Sequence, residues 1–272
     1  MKLSHALLAL QAVTSREVAK FVRQGGRLAS ALVRPLLWLV VFAAGFQNVF
    51  GVSIIPPYDT YIPYQTYIVP GLLGMVLLFN GMQSSLAMVY DREMGVMRLL
   101  LTAPLPRAYL LFAKLLAGTL LSVLQAYVFL AIAALFDVGV PWSGWLYALP
   151  VLVLSGMMLG ALGLLLSVHV KQLENFAGTM NFVIFPMFFV SPALYPLWKL
   201  EESGASVIHF IASWNPFSHA VEATRFALYG QWAPQSLAIV VACLAVFFLL
   251  AAWGYDPQRG IVKRAGKPGG AG

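Results

Sequence analysis

Six long apolar runs broken by short polar segments set the pattern of this chain: Pro35 to about Phe50, Ile68 to Tyr90, Tyr109 to Phe136, Leu146 to Val168, Asn175 to Tyr195 and Gln235 to Trp253. Each approaches the roughly 20 residues that a helix needs to cross a bilayer. The pattern predicts an all-α polytopic membrane protein with six transmembrane helices. Ahead of the first run, Arg16, Lys20, Arg23, Arg27 and Arg34 recur at steps of 4, 3, 4 and 7, which places all five on one helical face. Val18, Phe21, Val22, Leu28 and Leu32 take the opposite face. Residues 14–34 therefore read as an N-terminal amphipathic interfacial helix, its basic side toward anionic lipid or a partner. Gly25-Gly26 weakens its middle, so two half-helices fit the pattern as well as one. A charged lead-in without fixed structure is the plainer alternative.

The breaks differ in character. Pro56 to Tyr67 holds no Lys or Arg and is rich in Pro and Tyr, as expected of an outer loop. In the fourth run, Gly156 and Gly160 stand at GxxxG spacing with Gly163 beyond, a surface that another helix can approach closely. The fifth run is interrupted by Pro186 and Pro192. Such interruptions at membrane depth survive only where protein or a water-filled cavity covers the freed backbone. Phe185, Pro186 and Pro192 are therefore candidates for lining a substrate path, against the alternative of a kinked helix with no path. Between the fifth and sixth runs, Ala205 to Ala212 and Phe217 to Leu228 are too short to cross and too apolar for a plain loop. They predict outer re-entrant half-helices within 197–230. Of the 17 Lys and Arg, 15 fall in segments on one side of this topology, which puts both termini in the cytoplasm.

One compact block of mixed charge interrupts the middle of the chain. Asp91, Arg92, Glu93 and Arg98, with Gly95 between them, are followed by Pro104 and Pro106. Charges this dense do not lie in hydrocarbon. The block reads as a short helix over 91–103, capped by Asp91, on the cytoplasmic face, where it suits a partner protein better than a small molecule. The organisation expected is a lead-in and interfacial helix at 1–34, a transmembrane domain at 35–255 and a disordered basic tail at 256–272.

Composition agrees with this reading and excludes several chemistries. The 272 residues are 60% hydrophobic and only 10% charged, which leaves no room for a soluble catalytic domain. The net charge of +7 is spread over loops, so no nucleic-acid partner is expected. A lone Cys243 permits no intrachain disulfide. The only Gly-Lys pair, Gly266-Lys267, precedes Pro268, so there is no phosphate-binding Walker loop. His219 and Glu222, at helical i, i+3 spacing, could ligate a metal, but Glu222 pairing with Arg225 is the simpler reading, and no metal or catalytic residue is expected. The runs carry almost no ionisable group at mid-depth, so energy for transport would come from a partner.

The order of these parts resembles the type-2 permeases of ABC exporters. The likeness rests on the Asp91-Arg92-Glu93-x-Gly95 block with Leu99-Leu100-Leu101-Thr102-Ala103-Pro104, and on Asn215-Pro216-Phe217 with Arg225 after a Pro-rich fifth run. It implies a coupling helix carrying Asp91, Arg92, Glu93, Gly95 and Arg98 that docks on a separate cytoplasmic ATPase present in two copies. It implies an outer gate at Asn215, Pro216, Glu222 and Arg225, and a second permease copy, as a homodimer, in a bacterial inner membrane. ATP and magnesium would sit on the ATPase and no cofactor on this chain. A self-contained channel, secondary carrier or intramembrane enzyme built on His219, Glu222 and Arg225 remains the alternative, and the cargo is unnamed.

Overall fold

The structure, a computed structural model, describes residues 3–23, 25–46, 56–93, 106–136, 138–170 and 172–255, with some side chains of the first two segments left aside. All regular elements among the described residues are helices. They are α1 (Leu3–Arg23), α2 (Gly25–Phe46), α3 (Tyr64–Glu93), α4 (Arg107–Leu135), α5 (Trp142–His169), α6 (Leu173–Phe189), α7 (Leu197–Glu202), α8 (Ser206–Trp214), α9 (Pro216–Leu228) and α10 (Pro234–Gly254). Proline sets many of the starts. Pro216 and Pro234 occupy the first helical turn of α9 and α10, where a missing N–H costs nothing, and Pro106, Pro141 and Pro196 stand just before α4, α5 and α7.

The bundle is built around α3, which is buried along most of its length, whereas α10 buries only Val240 and Ala251. Close approach of α5 to α3 and α4 depends on missing side chains. A Cβ on Gly81 of α3 would lie 3.0 Å from the Gly160 amide nitrogen, and one on Gly160 would lie 2.7 Å from Leu115 of α4. The small residues noted along α5 thus serve packing within the chain. Leu72, Leu73, Leu77, Phe129, Leu152 and Phe217 fill the core between these helices.

Among the described residues, four helices are long and apolar enough to cross a membrane: α3, α4, α5 and α10. The other two expected spans fall on α2, with a shorter apolar stretch at Ala31–Val41, and α6, with 17 residues or about 25 Å of rise. Of the basic segment 14–34, Arg16 and Arg23 lie exposed on α1 and Arg34 lies on α2, which runs through Pro35 without ending. Asp91 does not open a new helix. No breaker follows Tyr90, so α3 continues and Asp91, Arg92 and Glu93 form its last turn. The two short stretches after α6 are helical, as α8 and α9, with α7 before them.

Candidate functional site

The last turn of α3 grips three other helices. Lys114 Nζ of α4 donates to Asp91 Oδ2 at 3.1 Å, and both side chains are about nine-tenths buried, at 12% and 9% exposure. Arg92 donates through its two terminal nitrogens to Ser167 O at 3.1 Å and Val170 O at 2.7 Å. Those carbonyls close α5, where the helix dipole is negative and a cation is favoured. Glu93 Oε1 accepts from the Leu173 amide at 2.9 Å, at the start of α6, where a carboxylate is favoured. Three consecutive charged residues therefore hold α4, the end of α5 and the start of α6. Tyr255, just past α10, is buried beside them, and burial pushes its phenol up to about 12 against the opposing pull of Arg92.

The far end of α6 is held as firmly. Asn215 caps α9 by accepting from the Phe217 amide at 3.0 Å. Its Nδ2 donates to Met187 O and Val190 O, both at 2.7 Å, so the same side chain closes α6. Arg225 is buried at 2% exposure. It donates to Pro192 O at 2.6 Å, Tyr67 O at 3.1 Å and the Tyr58 hydroxyl at 2.9 Å, and its guanidinium carbon lies 3.9 Å from the Tyr67 ring centroid. Its Nε approaches Glu222 Oε1 at 3.3 Å, a charge pair without hydrogen-bond alignment. Tyr64 and Tyr67 donate their hydroxyls to Leu194 O and Pro192 O at 2.7 and 3.2 Å. Burial raises the Tyr58 phenol, outweighing the opposing pull of Arg225, so it remains a neutral partner at Arg225.

Between these two polar clasps α6 buries only Phe176, Ile184 and Phe188. Phe182, Phe185 and Phe189 are exposed, at 79%, 44% and 43%. Phe185 meets Phe79 of α3 edge-on at 6.3 Å, and Phe189 lies 5.7 Å from Trp38 of α2. The Pro186 carbonyl accepts the Val190 amide in the last turn, and the Pro192 carbonyl belongs to the Arg225 clasp. Of the expected path residues, Phe185 and Pro186 therefore sit on an open face of α6, and Pro192 is buried just past its C-terminal end.

Gly95 and Arg98 lie outside the described residues, as do the side chains of Lys20 and Arg27. Pro216 fixes the start of α9, adjoining Asn215. His219 Nε2 contacts Ser213 O at 3.0 Å, and no group of three metal-ligating side chains occurs among the described residues. Glu222 faces Arg225, the simpler of the two sequence readings. Sequence reasoning left out Lys114, Tyr58, Tyr64 and Tyr67 as site residues. Lys114 stands 23 positions from Asp91, and the tyrosines read as an interfacial loop, so nothing local announced either role.

Residues 8–229, a stretch containing both clasps, match the family described as ABC-2 type transporter. The chain belongs to the ABC-2 type transporter family. Among relatives of this ABC-2 type transporter chain, the transport permease ycf38 of Porphyra purpurea is 30% identical over 224 residues, covering 80% of this chain and 72% of its own length. The ycf38 protein of Cyanophora paradoxa is 29% identical over 209 residues, covering 73% and 67%. The inner membrane transport permease YadH of Escherichia coli strain K12 is 22% identical over 247 residues, covering 89% and 93%. The ABC-2 type transporter match ends at Tyr229, so α10, the least buried long helix, lies beyond it.

Proposed function

We propose that this chain is the membrane permease subunit of an ATP-driven exporter in a bacterial inner membrane, paired with a second permease copy and with two copies of a cytoplasmic ABC ATPase. The ATPase carries ATP and magnesium, and this chain supplies the route. Six spans cross the bilayer, α2 and α6 completing the four long ones, with α8 and α9 re-entering from the outer side and both termini cytoplasmic. The segment after Glu93, with Gly95 and Arg98, docks on the ATPase. Asp91, Arg92 and Glu93 pass its movement to α4, α5 and α6. Asn215, Pro216, Glu222 and Arg225 form the outer gate. Arg16, Lys20, Arg23 and Arg27 seat the N-terminal helices against anionic headgroups. The cargo is an amphipathic or hydrophobic molecule that moves along the exposed face of α6.

The single observation that carries this reading is the last turn of α3. In a chain of the ABC-2 type transporter family, three adjacent charged residues tie one helix to three others, immediately before the segment that holds Gly95 and Arg98 in the sequence. A pull on that segment reaches all four helices together, as a two-state gate requires. The test is affinity purification of the full-length chain from membranes of its native host. A P-loop ATPase in stoichiometric amount, whose hydrolysis rate changes on binding the permease, is the expected result. A permease that purifies alone and moves cargo unaided would overturn the proposal.

A further inference from the structure

Arg34 is a charge level with the middle of α3 that the described part of the chain leaves unanswered. Its guanidinium carbon lies 3.7 Å above the centroid of Phe79. Phe79 is at the middle of α3, 12 residues or about 18 Å of helix from Asp91. Arg34 is exposed, and among the described residues no acid pairs with it and no acceptor takes its N–H groups. It lines a crevice between α2 and α3 with Met75, Phe79, Asn80 and Gln83. Asn80 is committed to Gln125 behind it, whereas Gln83 is half-buried and has no hydrogen-bond partner among the described residues. A guanidinium that merely snorkelled would reach toward the membrane surface, away from the middle of α3. This one stands over an aromatic ring level with the middle of α3, and it lines the crevice there.

An apolar strip leads away from that charge. The Phe79 ring touches Phe185, Phe185 stacks with Phe189 at 6.3 Å, and Phe189 meets Trp38. Phe182 and Leu37 extend the exposed surface beside it, at 79% and 58%. One unpaired cation with an amide beside it, at the end of an aromatic strip, has the chemistry of a site for an anionic headgroup with its tail on the rings. The fork of guanidinium donors matches the oxygens of phosphate or carboxylate, and charge is worth most where water is scarce.

We infer that Arg34, Phe79 and Gln83 form a site for the anionic headgroup of an amphiphile, whose apolar tail lies along Phe185 and Phe189. This narrows the cargo class of the proposed exporter to anionic amphiphiles, and it rests on that reading only for the headgroup being cargo. A resident anionic lipid presents the same phosphate chemistry, and the second arm of the experiment separates the two.

In the first arm the full-length permease alone, in neutral detergent, is offered dodecyl phosphate or uncharged dodecanol and bound ligand is counted by native mass spectrometry. The wild type is expected to prefer dodecyl phosphate by about tenfold, as loss of one charge-assisted contact implies. R34Q abolishes the preference, R34K keeps part of it, and Q83L reduces it. R34K guards against a folding defect, since it keeps the charge in the same place. No preference in the wild type, or an undiminished one in R34Q, overturns the inference. In the second arm the permease with its copurified ATPase, in phosphatidylcholine nanodiscs, receives dodecyl phosphate. Faster ATP hydrolysis that R34Q loses identifies the headgroup as cargo. Binding without any change in hydrolysis identifies a resident lipid, and both outcomes uphold the anion site. Because the first arm needs no ATPase, failure of the exporter reading and failure of the headgroup site give different results.

Discussion

Asp91 and Lys114, 23 residues apart on adjacent helices, form a 3.1 Å ion pair with both side chains about nine-tenths buried. Exposed pairs contribute little, but a pair removed from water loses several kcal/mol when one partner is deleted. Asp91→Lys places two ammonium groups together and is expected to lower both thermal stability and the ATP hydrolysis of the permease–ATPase complex. Adding Lys114→Asp restores the pair in reverse. A double-mutant cycle on melting temperature should return a coupling of about 1 to 3 kcal/mol. If Asp91 instead touched only the ATPase, the Lys114 change would rescue nothing.

Arg225 satisfies two carbonyls and a hydroxyl from three separate segments. Arg225→Ala leaves those acceptors facing a void and should cost about 3 to 5 kcal/mol, the range for breaking a buried charged network. Arg225→Lys keeps the charge without the fork and is expected to fall in between. The loop after α6 should loosen as well. Ser191, fully buried here, becomes reactive to a membrane-impermeant thiol reagent as Ser191→Cys in the Arg225→Ala background and stays unreactive in the parent.

Asn215 separates capping from clasping. Asn215→Asp keeps the acceptor for the Phe217 amide but turns oxygen toward Met187 O and Val190 O, where Nδ2 now donates. The α9 helix should persist while the end of α6 detaches. Hydrogen exchange is expected to rise at residues 187–192 and to remain low across α9. Equal protection in the variant and the parent would show that the two bonds to α6 carry no weight.

The tightest helix approach is at Gly144. A Cβ there would stand 1.8 Å from the Leu228 carbonyl oxygen, a backbone atom that cannot rotate away. Gly144→Ala is expected to destabilise by about 1 to 3 kcal/mol, the usual range for overpacking. Gly178 on α6 has open space where its Cβ would be, so Gly178→Ala should be neutral or stabilise by up to about 1 kcal/mol. Melting temperatures of the two purified variants check the contrast.

Apolar run length made α3, α4, α5 and α10 legible in the sequence, because crossing a membrane imposes one length on every span. The small helices around α9 followed from runs too short to cross and too apolar to be loops. Helix periodicity misled at Arg34. It shares an angular position with Arg16 and Arg23 in the sequence pattern, yet it sits over Phe79 of α3, a tertiary contact that periodicity does not report. The charged block was recognised as important for its density of charge alone. What Asp91, Arg92 and Glu93 touch was hidden, because Lys114, Ser167 and Leu173 are brought to them by tertiary packing and not by spacing. For the same reason Asn215 and Arg225 could be named only by resemblance, while their joint hold on the C-terminal end of α6 needed the folded structure.

The central claim is that the clasp of Asp91, Arg92 and Glu93 makes α6 follow the ATPase. Spin labels on Phe182→Cys and Trp253→Cys, in a Cys243→Ser permease bound to its ATPase, report the distance between α6 and α10 by double electron–electron resonance. The distance is expected to change when ATP is trapped, and that change should vanish in a Glu93→Gln, Arg92→Gln background that still binds the ATPase. A distance that shifts equally with the clasp removed, or that ignores ATP in the intact protein, would contradict the account.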